Sequence, residues 1–158
     1  MSRFFDLKQI GLKVLGLQPR KTQSIPEPPT QYQQLGGEAG VRAIAERFYD
    51  IMETDPLAAD LLALHPQPMQ RIRQTFFEFL SGWFGGPQLF AEKYGHPRLR
   101  ARHLPFRVDE AMRDQWLHCM YQVLEEQVSD PLLKQQLKSQ FTHLAHHMIN
   151  TDAAGQRF

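Results

Sequence analysis

The chain has 158 residues, 42% apolar and 22% charged, with a formal net charge of +1. That length supports one domain with a sizeable core, and the near-neutral balance excludes a broad cationic field for nucleic acid. The single cysteine, Cys119, excludes an intramolecular disulfide and fits a reducing, cytoplasmic setting. No apolar run reaches the ~18–20 residues of a membrane span, and Asp6, Lys8 and Lys13 interrupt any signal-like apolar centre.

Phe4, Leu7, Ile10, Val14 and Leu17 fall on one helical stripe over residues 3–17. Residues 18–31 hold four prolines and read as a semi-rigid linker. The spacing therefore predicts an N-terminal amphipathic helix and linker over 1–30, a folded domain over 31–152 and a frayed tail over 153–158. Residues 1–30 carry five basic and two acidic side chains. Residues 1–17 could touch an anionic membrane surface or a partner; the plainer reading is packing on the same domain or on a dimer mate, so monomer and homodimer both stay open.

Beyond a turn at Leu35-Gly36-Gly37, a helix is predicted from Glu38 to Met52. Val41, Ile44, Ala45, Phe48 and Met52 form its buried face, with Tyr49 at the edge. Asp55-Pro56 opens a short helix to Leu64, and His65-Pro66 ends it. Residues 67–84 read as an aromatic-rich helix, with Phe76, Phe77, Phe79, Trp83 and Phe84. Gly85-Gly86-Pro87 breaks it, and a short helix follows to Tyr94. Asp109 caps a helix to Val128 with Met112, Trp116, Met120 and Val123 on one stripe. Ser129-Asp130-Pro131 starts the last helix, through Leu133, Leu137, Leu144 and Met148 to Ile149. No period-2 strand and no Gly-rich phosphate loop is present, so the fold class is all-α.

Between these helices lies Gly95-His96-Pro97-Arg98-Leu99-Arg100-Ala101-Arg102-His103-Leu104-Pro105-Phe106. Pro97 and Pro105 leave room for one short helical piece ending near His103. A histidine fixed in that way can aim one ring nitrogen at a metal while the other bonds backbone. Arg98, Arg100 and Arg102 suit a metal ligand that itself carries carboxylates, as haem does. With chemistry alone, a surface loop with a capping histidine is an equal reading. His96 reads as part of a turn.

The run Gly-His-Pro-Arg-Leu-Arg-x-Arg-His-x-Pro-Phe resembles the proximal-histidine segment of the group II truncated haemoglobins. Trp116, thirteen residues after His103, extends the match, which spans about residues 31–151. The resemblance implies a two-over-two helical sandwich around haem b. The haem would be held without thioether links, since no Cys-x-x-Cys-His occurs. It implies His103 as the iron ligand, with Tyr49, Trp116 and His65 on the distal side, where hydrogen-bond donors steady a bound diatomic gas. Ile72, Phe76, Phe79 and Phe106 would line the pocket, and Arg100 and Arg102 would pair with the propionates. Ile72 and Phe76 are apolar, so the distal histidine or glutamine of other globins is missing, and Phe76 narrows the access.

Two functions fit: reversible dioxygen binding for transport, storage or sensing, and redox catalysis of nitric-oxide dioxygenase or peroxidase type. Catalysis would need an external reductase, because no flavin or nicotinamide motif is present. A zinc site at His143 and His147, four apart on a helix, competes weakly, since the zincin glutamate is absent. The remaining reading is a helical interaction module with no cofactor.

Overall fold

Spacing and capping account for each helix in turn. The computed structural model describes residues 26–158; the helix expected over 3–17 and most of the linker lie outside the described residues. Thr30 opens α1 (Gln31–Gln34) through a capping box with Gln33. In α2 (Gly37–Thr54) the stripe Val41, Ile44, Ala45, Phe48 and Met52 is buried. Gly40 is required on that helix, because a Cβ there would meet the Leu35 carbonyl oxygen at 1.7 Å. The Asp55 carboxylate accepts from Leu57 N–H at 2.9 Å. Pro56 then starts a 3₁₀ turn (Pro56–Ala58) that runs into α3 (Ala59–Ala63).

The aromatic-rich helix, α4 (Gln70–Trp83), begins three residues later than the sequence predicts. Pro68 disfavours helical backbone at Gln67 and has no N–H to donate. α5 (Leu89–Tyr94) and α6 (Leu99–His103) are short. Asp109 caps α7 (Glu110–Gln127), its carboxylate accepting from Met112 N–H at 3.0 Å. Asp130 caps α8 (Pro131–Met148), accepting from Leu132 and Leu133 N–H.

α2 packs on α4, α7 packs on α8, and α2 crosses to α7, giving two helix pairs with a shared core. Among the described residues there is no strand; one isolated bridge joins Thr151 and Arg157. At the centre Phe141 lies 4.6 Å from Trp83 and 5.7 Å from Trp116, ring to ring. This is the two-over-two all-α sandwich implied by the resemblance.

Residues 153–158 depart from the frayed tail that the sequence predicts. Phe158 N–H donates to the Asn150 carbonyl, Asp152 N–H to Gln156, and the Arg157 guanidinium to the Leu104 carbonyl at 2.9 Å. A polar tail gives no periodic signal, so these bonds to distant carbonyls leave no mark in the sequence.

α5 is clipped to α4 by a buried acid. Glu78 is 2% exposed, receives bonds from Lys93 and Gln74, and leaves Oε2 without a partner. Burial alone would raise its pKa; the bonds from Lys93 and Gln74 and the charges of Lys93 and Arg42 outweigh that and hold it below 4.5. A lowered carboxyl pKa contributes stability above the unfolded value, near 4.5, that is lost as pH falls through the lower folded value. Glu78→Gln is therefore expected to lower the urea midpoint at neutral pH, with the deficit shrinking as the pH falls through the lowered folded value. A deficit independent of pH would show that the ion pair plays no part.

Candidate functional site

A cavity of about 380 Å³ opens between the helix pairs, within the range of small-molecule and cofactor sites. Its walls are mostly apolar: Ile72, Phe76, Phe79 and Phe90 on one side, with Leu144 and Met148 from α8. Of the residues singled out in the sequence, Tyr49, His65, Ile72, Phe76, Phe79, Arg102, His103, Phe106 and Trp116 all line it. Four helices (α2, α4, α6 and α7) and the loops holding His65 and Phe106 bring them together from positions 49 to 116.

His103, the last residue of α6, is half-buried. Its Nδ1 lies 2.7 Å from the Leu99 carbonyl oxygen, which can only accept. Nδ1 is then the protonated nitrogen, and Nε2 keeps a lone pair for a metal. His65 repeats the arrangement, with Nδ1 2.8 Å from the Leu61 carbonyl. Burial lowers the His65 pKa, against the pull of the Leu61 bond, and the His103 charge lowers it further. His65 is thus neutral near pH 7, with Nε2 open.

Tyr49 is 3% exposed, more buried than a place at the edge of its stripe predicts. His65 and Phe76 cover its ring at centroid distances of 5.8 Å each, and Phe48 at 5.2 Å. Burial pushes the phenol pKa far above its ordinary value, although the charge of Arg73 opposes it. Arg73 stands 5.7 Å from the Tyr49 ring and binds Glu46, Asp50 and Glu53 along α2. Tyr49 therefore stays protonated. Neither its hydroxyl nor the Trp116 indole N–H has a hydrogen-bond partner among the described residues. Thr75 also lines the cavity, but its hydroxyl donates to Arg71 O at 2.9 Å, so it offers no donor.

The arginines divide differently from the sequence reading. Arg102 is on the cavity wall, with Nε donating to Pro97 O at 2.7 Å and its guanidinium 5.1 Å from the Phe90 ring. Arg100 is not on the wall. Its Nη1 donates to the carbonyls of His147 and Ile149 at 2.7 and 3.0 Å, which ties α6 to the end of α8. The second guanidinium on the wall is Arg113, held by Asp114 and by His146 Nδ1. It was legible only as the neighbour of Met112 on a cavity-facing stripe. His96 does form a turn, its Nδ1 accepting from Arg98 N–H at 3.2 Å. His143 and His147 are exposed, and among the described residues no three His, Cys, Asp or Glu side chains gather to hold a metal ion.

A helical sandwich with an aromatic slot, a histidine presenting a free Nε2 and two guanidiniums on its wall is the build of a haem-binding globin. Residues 30–150 match the family of bacterial-like globins. The group 2 truncated hemoglobin YjbI of Bacillus subtilis is 31% identical over 126 residues, covering 80% of this chain and 92% of its own length. Among solved structures, the cold-adapted truncated hemoglobin of the Antarctic marine bacterium Pseudoalteromonas haloplanktis is similar, with a TM-score of 0.77 and 58% identity. That match covers 78% of this chain and 99% of that one. The group II 2-on-2 hemoglobin of Agrobacterium tumefaciens gives a TM-score of 0.77 at 38% identity, covering 80% and 98%. The chain belongs to the group II truncated haemoglobins, and a haem cofactor follows from that membership. No helix among the described residues is long and apolar enough to cross a membrane.

Proposed function

We propose that this protein reversibly binds dioxygen and other diatomic gases at haem b, held without covalent links and coordinated by Nε2 of His103. The observation that carries the reading is a pair of unpartnered donors, the Tyr49 hydroxyl and the Trp116 indole N–H, on the wall of one apolar cavity that also holds His103. A donor on the wall of a cavity that no protein group engages is free to bond an acceptor that a ligand brings. When bound, haem supplies an iron whose open face takes a diatomic gas.

The remaining work belongs to the protein. His103 is locked by the Leu99 carbonyl and presents a neutral nitrogen. Phe76, Phe79 and Phe90 exclude water from the macrocycle. Arg102 and Arg113, both on the cavity wall, pair with the propionates, since guanidinium and carboxylate meet in a fork. Tyr49 and Trp116 donate to the gas, and neutral His65 adds a third polar group beside Tyr49. The test is a visible spectrum of the purified protein, ferric, then reduced, then with carbon monoxide. An intense haem band that shifts with carbon monoxide is expected; no band after reconstitution with haem overturns the reading.

A further inference from the structure

Apolar burial does not hold the backbone of His103 in place. α6 has only five residues and none of them is buried. Residues 104–107 after it are all exposed. Its first turn follows Arg98, which has left-handed backbone (φ 43°) and no side-chain cap. A segment so poor in packed contacts would open at low free energy unless polar bonds fixed it.

The polar bonds come from the far end of the chain. Asn150 is 2% exposed and uses every hydrogen-bonding site of its carboxamide. Nδ2 donates to the His103 carbonyl at 3.2 Å and to the Phe106 carbonyl at 3.0 Å. Oδ1 accepts from Val108 N–H at 3.0 Å and from the Thr151 hydroxyl at 2.9 Å. The backbone N–H groups of Asn150 and Thr151 both donate to the Val108 carbonyl. Arg157 holds the Leu104 carbonyl, and in return Arg100 holds the carbonyls of His147 and Ile149. The His103 residue is therefore tied at both ends, its ring to Leu99 O and its carbonyl to Asn150 Nδ2.

We infer that Asn150 is a positioning residue for His103: its carboxamide fixes the backbone from His103 to Val108 and so sets where the imidazole stands. The inference rests on His103 being the axial ligand. Asn150 touches neither the cavity nor a bound gas and acts only through the histidine. A carboxamide is needed, because only this group gives two donors to two carbonyls and two acceptors to the opposite pair in one buried plane.

The test compares Asn150→Asp, Asn150→Ala and the milder Arg157→Ala with Val123→Ala, a core variant on α7 that is not part of the cavity wall. Asn150→Asp keeps the shape and the Oδ1 acceptor, but turns an acceptor toward two carbonyls. The readouts, taken on the haem-loaded protein, are the iron–histidine stretching band of the ferrous form, haem loss to a scavenger, and amide exchange at Phe106 and Val108. Both Asn150 variants are expected to move and broaden the band and to speed haem loss about 10–100-fold, as changes behind a metal ligand do. Amide exchange at the two sites should rise about tenfold in Asn150→Ala. Arg157→Ala should move the band less and in the same direction, so the inference stays testable if Asn150→Ala does not fold. Val123→Ala should lose stability and leave the band unmoved. A wild-type band that stays put in both Asn150 variants and in Arg157→Ala overturns the inference alone, whatever happens to stability. A wild-type protein with no iron–histidine band overturns the axial reading of His103, and the inference with it.

Discussion

His103→Gly is expected to release haem more than about 100-fold faster than the wild type, since changes merely behind a metal ligand already cost 10–100-fold. The cavity wall offers two histidines, and both present Nε2 with Nδ1 held by the carbonyl four residues back. Geometry alone does not rank them. What separates them is their surroundings: His103 stands among the arginines that a propionate-bearing group needs, whereas His65 stands edge-on to the Tyr49 ring at 5.8 Å. Glycine at 103 leaves a space the size of the lost ring, so free imidazole should enter it and restore the haem band. His65→Ala should retain haem throughout. If His103→Gly keeps its haem with an unchanged spectrum while His65→Ala loses it, the two roles are reversed.

The helices were legible because their signals are local. Asp55-Pro56, Asp109 and Asp130-Pro131 each open an element as their chemistry demands, and the stripe from Val41 to Met52 marks the buried face of α2. Local signals also explain the error at the start of α4, where aromatic spacing outvoted Pro68. The cavity-lining place of His103 was legible from its motif, since the adjacent residues around it carry the resemblance. Its supporting contacts were not. Arg100 and Arg102 are two apart in sequence, yet one serves the cavity wall and the other the end of α8. Nothing local distinguishes them, because the partner carbonyls of Arg100 lie 47 and 49 residues away. Asn150 is invisible for the same reason: a lone asparagine after a helix is ordinary until Val108, His103 and Phe106 are brought to it. Tyr49 was placed at a helix edge, and only the arrival of His65 and Phe76 from other elements buries it.

Tyr49→Phe and Trp116→Phe are each expected to speed dioxygen dissociation about 5–30-fold, the factor corresponding to one hydrogen bond of about 1–2 kcal/mol. Both substitutions keep an aromatic ring in the slot and remove only a polar donor or the ring that bears it. The Tyr49 phenol is kept protonated by burial, so the effect should not vary with pH across the neutral range. The two residues are also mechanically joined. Phe48 contacts both rings, at 5.2 and 5.3 Å, and Phe76 does so at 5.8 and 6.4 Å. Side chains that share neighbours rarely act additively. In the double variant the dissociation rate should therefore differ from the product of the two single effects. If both donors reach the same gas molecule, the double variant should also oxidise more readily in air than either single one. Unchanged dissociation in Tyr49→Phe would remove the phenol from the ligand's surroundings and leave Trp116 as the donor. Unchanged rates in both would mean that the apolar walls, Phe76 above all, govern escape by steric hindrance, and Phe76→Leu would then be the variant that speeds it.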